Sequence, residues 1–238
     1  MASNSKCVAL VTRGSGGIGA AIVRCLAAGG VDVVAFTYTT SNGAADQPVA
    51  QVLEADGRAK ADAVDAGNAD AIRNVVCQVT RDFGHLDILV ANAGIIMAGP
   101  PEDATVDAFN RLMAVNARSV FFTATAAAQV MPEGSRIVSF GSGLAERSAG
   151  PGTTTDTLTK AAPVGTTRGL AHDFAPRGVT VNLVHPGPTD TDMNPATSER
   201  ATRQRTKIAL NRCGSADEIA SAVANLASPA ASFVTGAT

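Results

Sequence analysis

Aromatic residues are scarce: tryptophan is absent, tyrosine occurs once, as Tyr38, and the aromatics together make up 4% of the 238 residues. Any chemistry that needs a phenol has one candidate. Only four cysteines occur, and Cys7, Cys25, Cys77 and Cys213 are scattered without the paired spacing of a metal site or a disulfide framework. They read as buried thiols. Charge is sparse and nearly balanced, 19 lysines and arginines against 21 acids, for a formal net charge of −2. That balance argues against a nucleic-acid partner and against a membrane surface. No apolar run is long enough to span a bilayer, and Met1 to Lys6 is too short and polar for a signal peptide. The cytoplasm is the expected location. His85, His172 and His185 share no metal-ligand or Ser/His/Asp spacing, so no metal is expected.

Hydrophobic residues make up 45% of the chain, enough for one sizeable core. The chain is organised around its first apolar run, Val8 to Val11, the glycine-rich loop Arg13-Gly14-Ser15-Gly16-Gly17-Ile18-Gly19, and a helix striped by Ile18, Ile22 and Leu26. Glycines let a backbone approach a pyrophosphate, and the free N–H groups of a first helical turn present positive partial charge to it. Strand, loop and helix together predict a phosphate cradle, although such loops also serve as plain strand-to-helix turns.

Further strands are predicted at Val31 to Tyr38, Arg58 to Val64, Leu86 to Val90, Arg136 to Phe140 and Val179 to Val184. Helices are predicted around Val49 to Leu53 and over Asp70 to Phe83, Thr105 to Met131 and Thr154 to Ala175. Alternation of strands and helices implies an α/β fold, a doubly wound parallel sheet of the Rossmann-like type in one three-layer domain spanning residues 1–238. Ser215 and Glu218 look like a capping box opening a last helix. Pro163 is expected to kink or shorten its helix.

These residues resemble the classical short-chain dehydrogenase/reductase family, ketoacyl and carbonyl reductases in particular. The matches run in family order: the glycine loop, Asp65-Ala66, Ala91-Asn92-Ala93-Gly94, Asn116, Ser142, Lys160, and Pro186-Gly187 with Thr189 and Thr191. The resemblance implies that Arg13, Gly14, Ser15, Gly17, Ile18 and Gly19 line a dinucleotide phosphate, with Tyr38 and Thr39 at its adenosine half. It implies that Asp65 and Ala66 hold the adenine, that Asn92, Ala93 and Gly94 pack along the cofactor, and that Pro186 to Thr191 meet the nicotinamide. Lys160 would hold the nicotinamide ribose, while Asn116 and Ser142 polarise the substrate or hold a water. A homodimer or homotetramer is implied as well.

Departures from the family are equally informative. The family's catalytic tyrosine, four residues before the lysine, is here Asp156. An i,i+4 pair with Lys160 favours an ionised carboxylate, which cannot donate a proton to a carbonyl oxygen; an ordinary ion pair on the helix surface is the alternative. Arg13 stands where the family has its first glycine, and Gly16 where NADP users often carry arginine. The run Thr37-Tyr38-Thr39-Thr40-Ser41 has no carboxylate before Asp46 to accept from a ribose 2′-hydroxyl, which leans to NADP over NAD. The chain stops at Phe233 to Thr238 without the family's Asp-Gly-Gly strand, so its C-terminal strand is expected to be truncated and a sheet edge left incomplete.

Three functions follow as expectations. The first is an NADP-linked oxidoreductase interconverting a small-molecule ketone and a secondary alcohol, impaired by the missing tyrosine. The second is a non-redox enzyme on the same scaffold with Asp156 as base. The third is a non-catalytic module that binds a dinucleotide or a partner.

Overall fold

The computed structural model describes residues 6–39, 43–148 and 150–238. Thr40 and Ser41, named above for cofactor choice, and the segment 1–5 lie outside them. Six strands form one all-parallel sheet: β1 (Val8–Val11), β2 (Val33–Tyr38), β3 (Arg58–Ala63), β4 (Ile88–Ala91), β5 (Arg136–Phe140) and β6 (Thr180–Val184), in the order β3-β2-β1-β4-β5-β6. Register sets Ala9 against Val34 and Leu10 against Leu89, so β1 is paired on both sides. The strand order reverses between β1 and β4, and in an open α/β sheet a crevice opens beyond the strand ends at that point.

Side chains alternate across the pleat and separate two cores. Ala9, Val11, Val34 and Phe36 face α1 (Gly17–Ala28), α2 (Gly43–Glu54) and α8 (Ala216–Ala227). Val8, Leu10, Val33 and Ala35 face α3 (Ala69–Phe83), α5 (Ser119–Val130) and α6 (Thr154–Phe174). Strands buried on both faces carry almost unbroken apolar runs, which made β1 and β4 legible. The remaining helices are α4 (Val106–Met113) and α7 (Glu199–Arg205).

Two expectations are corrected. The helix foreseen from Thr105 to Met131 is interrupted by a π turn at Ala114–Arg118, which carries Asn116; π turns of this kind recur at functional sites. Pro163 does not end its helix, since α6 runs through it to Phe174 with Pro163 buried in the sheet-facing layer. The edge beyond β6 is not bare: Gly236 N–H donates to the Val181 carbonyl (2.8 Å), Leu183 N–H to the Ala237 carbonyl (2.9 Å), and Asn182 Nδ2 to the Val234 carbonyl (2.8 Å). The capping box at Ser215 and Glu218 forms as expected. Among the described residues no helix is long and apolar enough to cross a membrane.

Candidate active site

A cleft lies over the C-terminal ends of β1, β2, β3 and β4. Beside it runs the glycine loop, where glycine is required at two places by close approach. A Cβ on Gly19 would stand 2.1 Å from the Arg13 carbonyl oxygen and 2.7 Å from Asn92 Nδ2, and one on Gly14 would stand 2.5 Å from Phe36 Cβ. Gly14 is buried and its N–H donates to the Thr37 carbonyl (2.8 Å), so it fastens the loop to β2 instead of facing a phosphate. Ser15, Gly17 and Ile18 continue the loop, which opens α1 with no side-chain cap and no acid in the first turn. That helix end keeps its positive partial charge.

Arg13 takes the left-handed backbone conformation, with φ of 55°. Its N–H donates to Thr37 Oγ1 (2.9 Å), and its guanidinium Nη1 donates to the Gly94 carbonyl (2.6 Å) and to Met193 Sδ (3.1 Å). The side chain therefore crosses from the phosphate loop to the segments after β4 and β6.

The segment after β4 is fastened residue by residue. Asn92 Nδ2 donates to the carbonyls of Thr12 (3.1 Å) and Arg13 (3.2 Å), and Ala93 N–H donates to Thr12 Oγ1 (2.9 Å). Asn116, fully buried in the π turn, takes the Ile95 N–H on Oδ1 (2.9 Å) and gives Nδ2 to the Ile95 carbonyl (3.0 Å) and to Thr159 Oγ1 (3.1 Å). Met97 is held from α6: its N–H donates to Asp156 Oδ1 (3.0 Å), and Thr155 Oγ1 donates to its carbonyl (3.2 Å). A Cβ on Gly94 would stand 2.7 Å from Lys160 Nζ, so the lysine closes on this segment as well.

Two acids of the site have defined partners, and one of them departs from expectation. Asp156 is 2% exposed and forms no ion pair with Lys160 among the described residues, so it is neither on the helix surface nor salt-bridged. Burial raises its pKa from the ordinary carboxylate value, against the opposing pull of the Met97 N–H and the charges of Lys160 and Arg200. Burial also pushes the Lys160 ammonium down to about 8, with Asp156 opposing and Arg13 assisting. Asp65 is gripped by a bidentate Arg111, at 2.9 and 2.8 Å, and by the Gly67 N–H; the Arg111 bond holds its carboxyl below the ordinary value.

The cleft has a volume of about 250 Å³ and is lined by Arg13, Thr39, Asp65, Ala66, Gly94 and Arg111, among others. Tyr38 ends β2 nearby and has a partner of its own. On the other side, Ser142 Oγ accepts from Leu144 N–H (3.2 Å), and the Ser142 N–H donates to His185 Nδ1 (2.9 Å). Pro186 is tied in by the Gly143 N–H (3.2 Å), Thr189 Oγ1 donates to the Gly187 carbonyl (3.0 Å), and Thr191 Cγ2 would lie 3.4 Å from a Cβ on Gly17. Of the residues singled out in the sequence, Arg13, Thr39, Asp65, Ala66, Ala93 and Gly94 line this cleft, while Gly14, Asn92, Asn116 and Asp156 brace the surrounding segments through buried hydrogen bonds. Sequence reasoning missed Arg111, Met97, Thr155, Thr159 and the Ser142 contact of His185, because each partnership joins distant segments.

A glycine loop closed on β4, an uncapped helix start and an ammonium at the crevice together fit a nicotinamide dinucleotide, with Arg13 lying across its path. Fold and glycine loop define a doubly wound α/β protein of Rossmann-like topology. The family described as Enoyl-(Acyl carrier protein) reductase matches residues 14–238. A cyclic-di-GMP-binding biofilm dispersal mediator protein of Escherichia coli is 42% identical, over 96% of this chain and 92% of its own. A 3-oxoacyl-(acyl-carrier-protein) reductase of the same organism is 36% identical, over 97% and 93%. The structure of a short chain dehydrogenase from Burkholderia cenocepacia in complex with NADP is 47% identical, with a TM-score of 0.95 and coverage of 98% and 94%. The chain belongs to the short-chain dehydrogenase/reductase family, whose members are oxidoreductases.

Proposed function

We propose that the protein is an NADP-linked oxidoreductase that interconverts a small-molecule ketone and a secondary alcohol, slowed by the absence of a catalytic phenol. The observation that carries this reading is the placement of Lys160 Nζ against Gly94, opposite the phosphate loop. NADPH, when bound, supplies the hydride. Lys160 holds the ribose, Asn116 fixes the wall of the pocket through Ile95, and Ser142 offers its hydroxyl to the carbonyl oxygen. The proton that oxygen needs comes from no tyrosine. Removing a general acid lowers turnover by about 10²–10⁴-fold. The lack of a carboxylate among Thr37, Tyr38 and Thr39 supports NADP over NAD.

Calorimetric titration with NADPH and NADH tests the cofactor, followed by loss of NADPH absorbance in the presence of ketones. Preference for NADPH with slow, carbonyl-dependent oxidation is the expected result; a folded protein that binds neither cofactor overturns the reading. A second reading, a nucleotide-binding module without turnover, is favoured by Asp156, whose carboxylate is bonded to Met97 instead of serving an acid. It predicts binding of NADPH or of cyclic di-GMP with no change in cofactor redox state for any carbonyl.

We expect assembly as a homodimer or homotetramer in the cytoplasm. Phe121 on α5 (43% exposed) and Leu158 on α6 (47%) support an interface on those helices, and light scattering reads the mass.

A further inference from the structure

We infer that Arg13 is the side chain that recognises a diphosphate in this crevice, and that the ligand takes its guanidinium away from Gly94 and Met193, releasing the Met193 segment. This rests on reading the crevice as a dinucleotide site. Backbone strain comes first. A non-glycine residue at φ of 55° is strained, and it persists here because Thr37 Oγ1 and Asn92 Nδ2 hold the peptide groups on both sides of Arg13. The loop tolerates a conformation that glycine would accept freely, and the result is a guanidinium inside the crevice.

The guanidinium is also under-used. Both of its contacts run through Nη1, to a carbonyl oxygen and to a thioether; Nη2 and Nε have no protein partner among the described residues. A planar fork of N–H donors matches phosphate oxygens in pairs, and a sulfur is a weak substitute for them. The charges around it point the same way. Gly94 lies between two cations, with Arg13 on its carbonyl and Lys160 Nζ within 2.7 Å of its would-be Cβ, and the Arg13 charge helps hold the lysine's pKa down. The other guanidinium of the cleft, Arg111, is already paired with Asp65. Asp156, the nearby acid, is tied to Met97. An anion between Arg13 and Lys160 relieves this repulsion.

The segment 191–193 rests on the same loop. Thr191 abuts Gly17, Asp192 Oδ2 would stand 3.9 Å from a Cβ on Gly16, and Met193 takes the Arg13 contact. A phosphate arriving at Gly16 and Gly17 meets the Asp192 carboxylate, so binding drives this segment off the loop while Arg13 turns to the ligand. Gly16 leaves open the place from which a neighbouring arginine could have served, and Arg13 brings the charge from three residues earlier.

The test compares wild type, Arg13→Lys and Arg13→Gly in calorimetric titrations with NADPH and with inorganic pyrophosphate, following the Met193 methyl resonance by NMR. Glycine suits the left-handed backbone, so Arg13→Gly retains the fold. At least tenfold weaker binding of both ligands by Arg13→Gly is expected, with Arg13→Lys intermediate, and a Met193 shift on ligand addition in wild type. NADPH binding that is unchanged or tighter in Arg13→Gly makes Arg13 an obstruction and overturns the inference while the NADP reading stands. Arg13-dependent pyrophosphate binding without NADPH binding keeps the inference and overturns the NADP reading. Binding of neither ligand by the folded wild type overturns both.

Discussion

The carboxylate of Asp156 accepts the backbone N–H of Met97 at 3.0 Å, 59 residues away in sequence. Helix α6 thus holds the segment after β4 through a side chain expected to do chemistry. Asp156→Asn retains an acceptor oxygen and is expected to leave stability nearly unchanged. Asp156→Ala strands the Met97 N–H and is expected to cost about 1–3 kcal/mol, read from the urea midpoint. Equal stability of the two variants would count against the clamp.

Restoring the phenol tests the oxidoreductase reading directly. Asp156→Tyr is expected to raise NADPH-dependent carbonyl reduction at least tenfold, with Asp156→Phe as the control for bulk. A tyrosine has a proton to donate, and its neighbour Lys160 is placed to lower its pKa toward neutrality. A rate that stays flat in both variants leaves the binding-module reading ahead.

Lys160 makes stability depend on pH in a defined direction. Its folded pKa of about 8 lies below the ordinary lysine value of 10.5. Between those values unfolding takes up a proton, so it becomes less favourable as protons become scarce, and the folded state gains stability as pH rises from about 8 to 10.5. Lys160→Met is expected to flatten this rise. Parallel thermal melts across that window check it, and an unchanged slope in the variant would assign the rise to another group.

Asn116 is the more costly side chain to lose. Its amide satisfies both the N–H and the carbonyl of Ile95 and also reaches Thr159, all from a fully buried position. Asn116→Ala is expected to destabilise the fold by on the order of 2–4 kcal/mol, because buried polar groups are left unpaired. Chemical denaturation measures it, and hydrogen exchange at Ile95 reports whether the segment itself opens.

Much of the fold was legible because the relevant physics is local. Val8 to Val11 and Leu86 to Val90 are apolar runs of strand length, α3 carries Ile72, Val75, Val76 and Val79 on one face, and Ser215 with Glu218 marks a helix start. The π turn at Asn116 was not legible, since a single inserted residue leaves an apolar pattern readable as one helix. Pro163 does not shorten α6, which continues through it to Phe174 with the proline buried.

Residue type and order by themselves determined the glycine loop, the doubly wound sheet, the family, and the fact that an aspartate and not a tyrosine stands four residues before Lys160. Only the tertiary structure decided what the substituted residues do. Whether Asp156 is an exposed ion pair or a buried clamp depends on Met97 arriving from another segment, and whether Arg13 faces solvent or crosses the crevice depends on Gly94 and Met193. Charge and hydrogen-bonding capacity are properties of a side chain, but burial and partners are properties of the fold, and these set its pKa and its role.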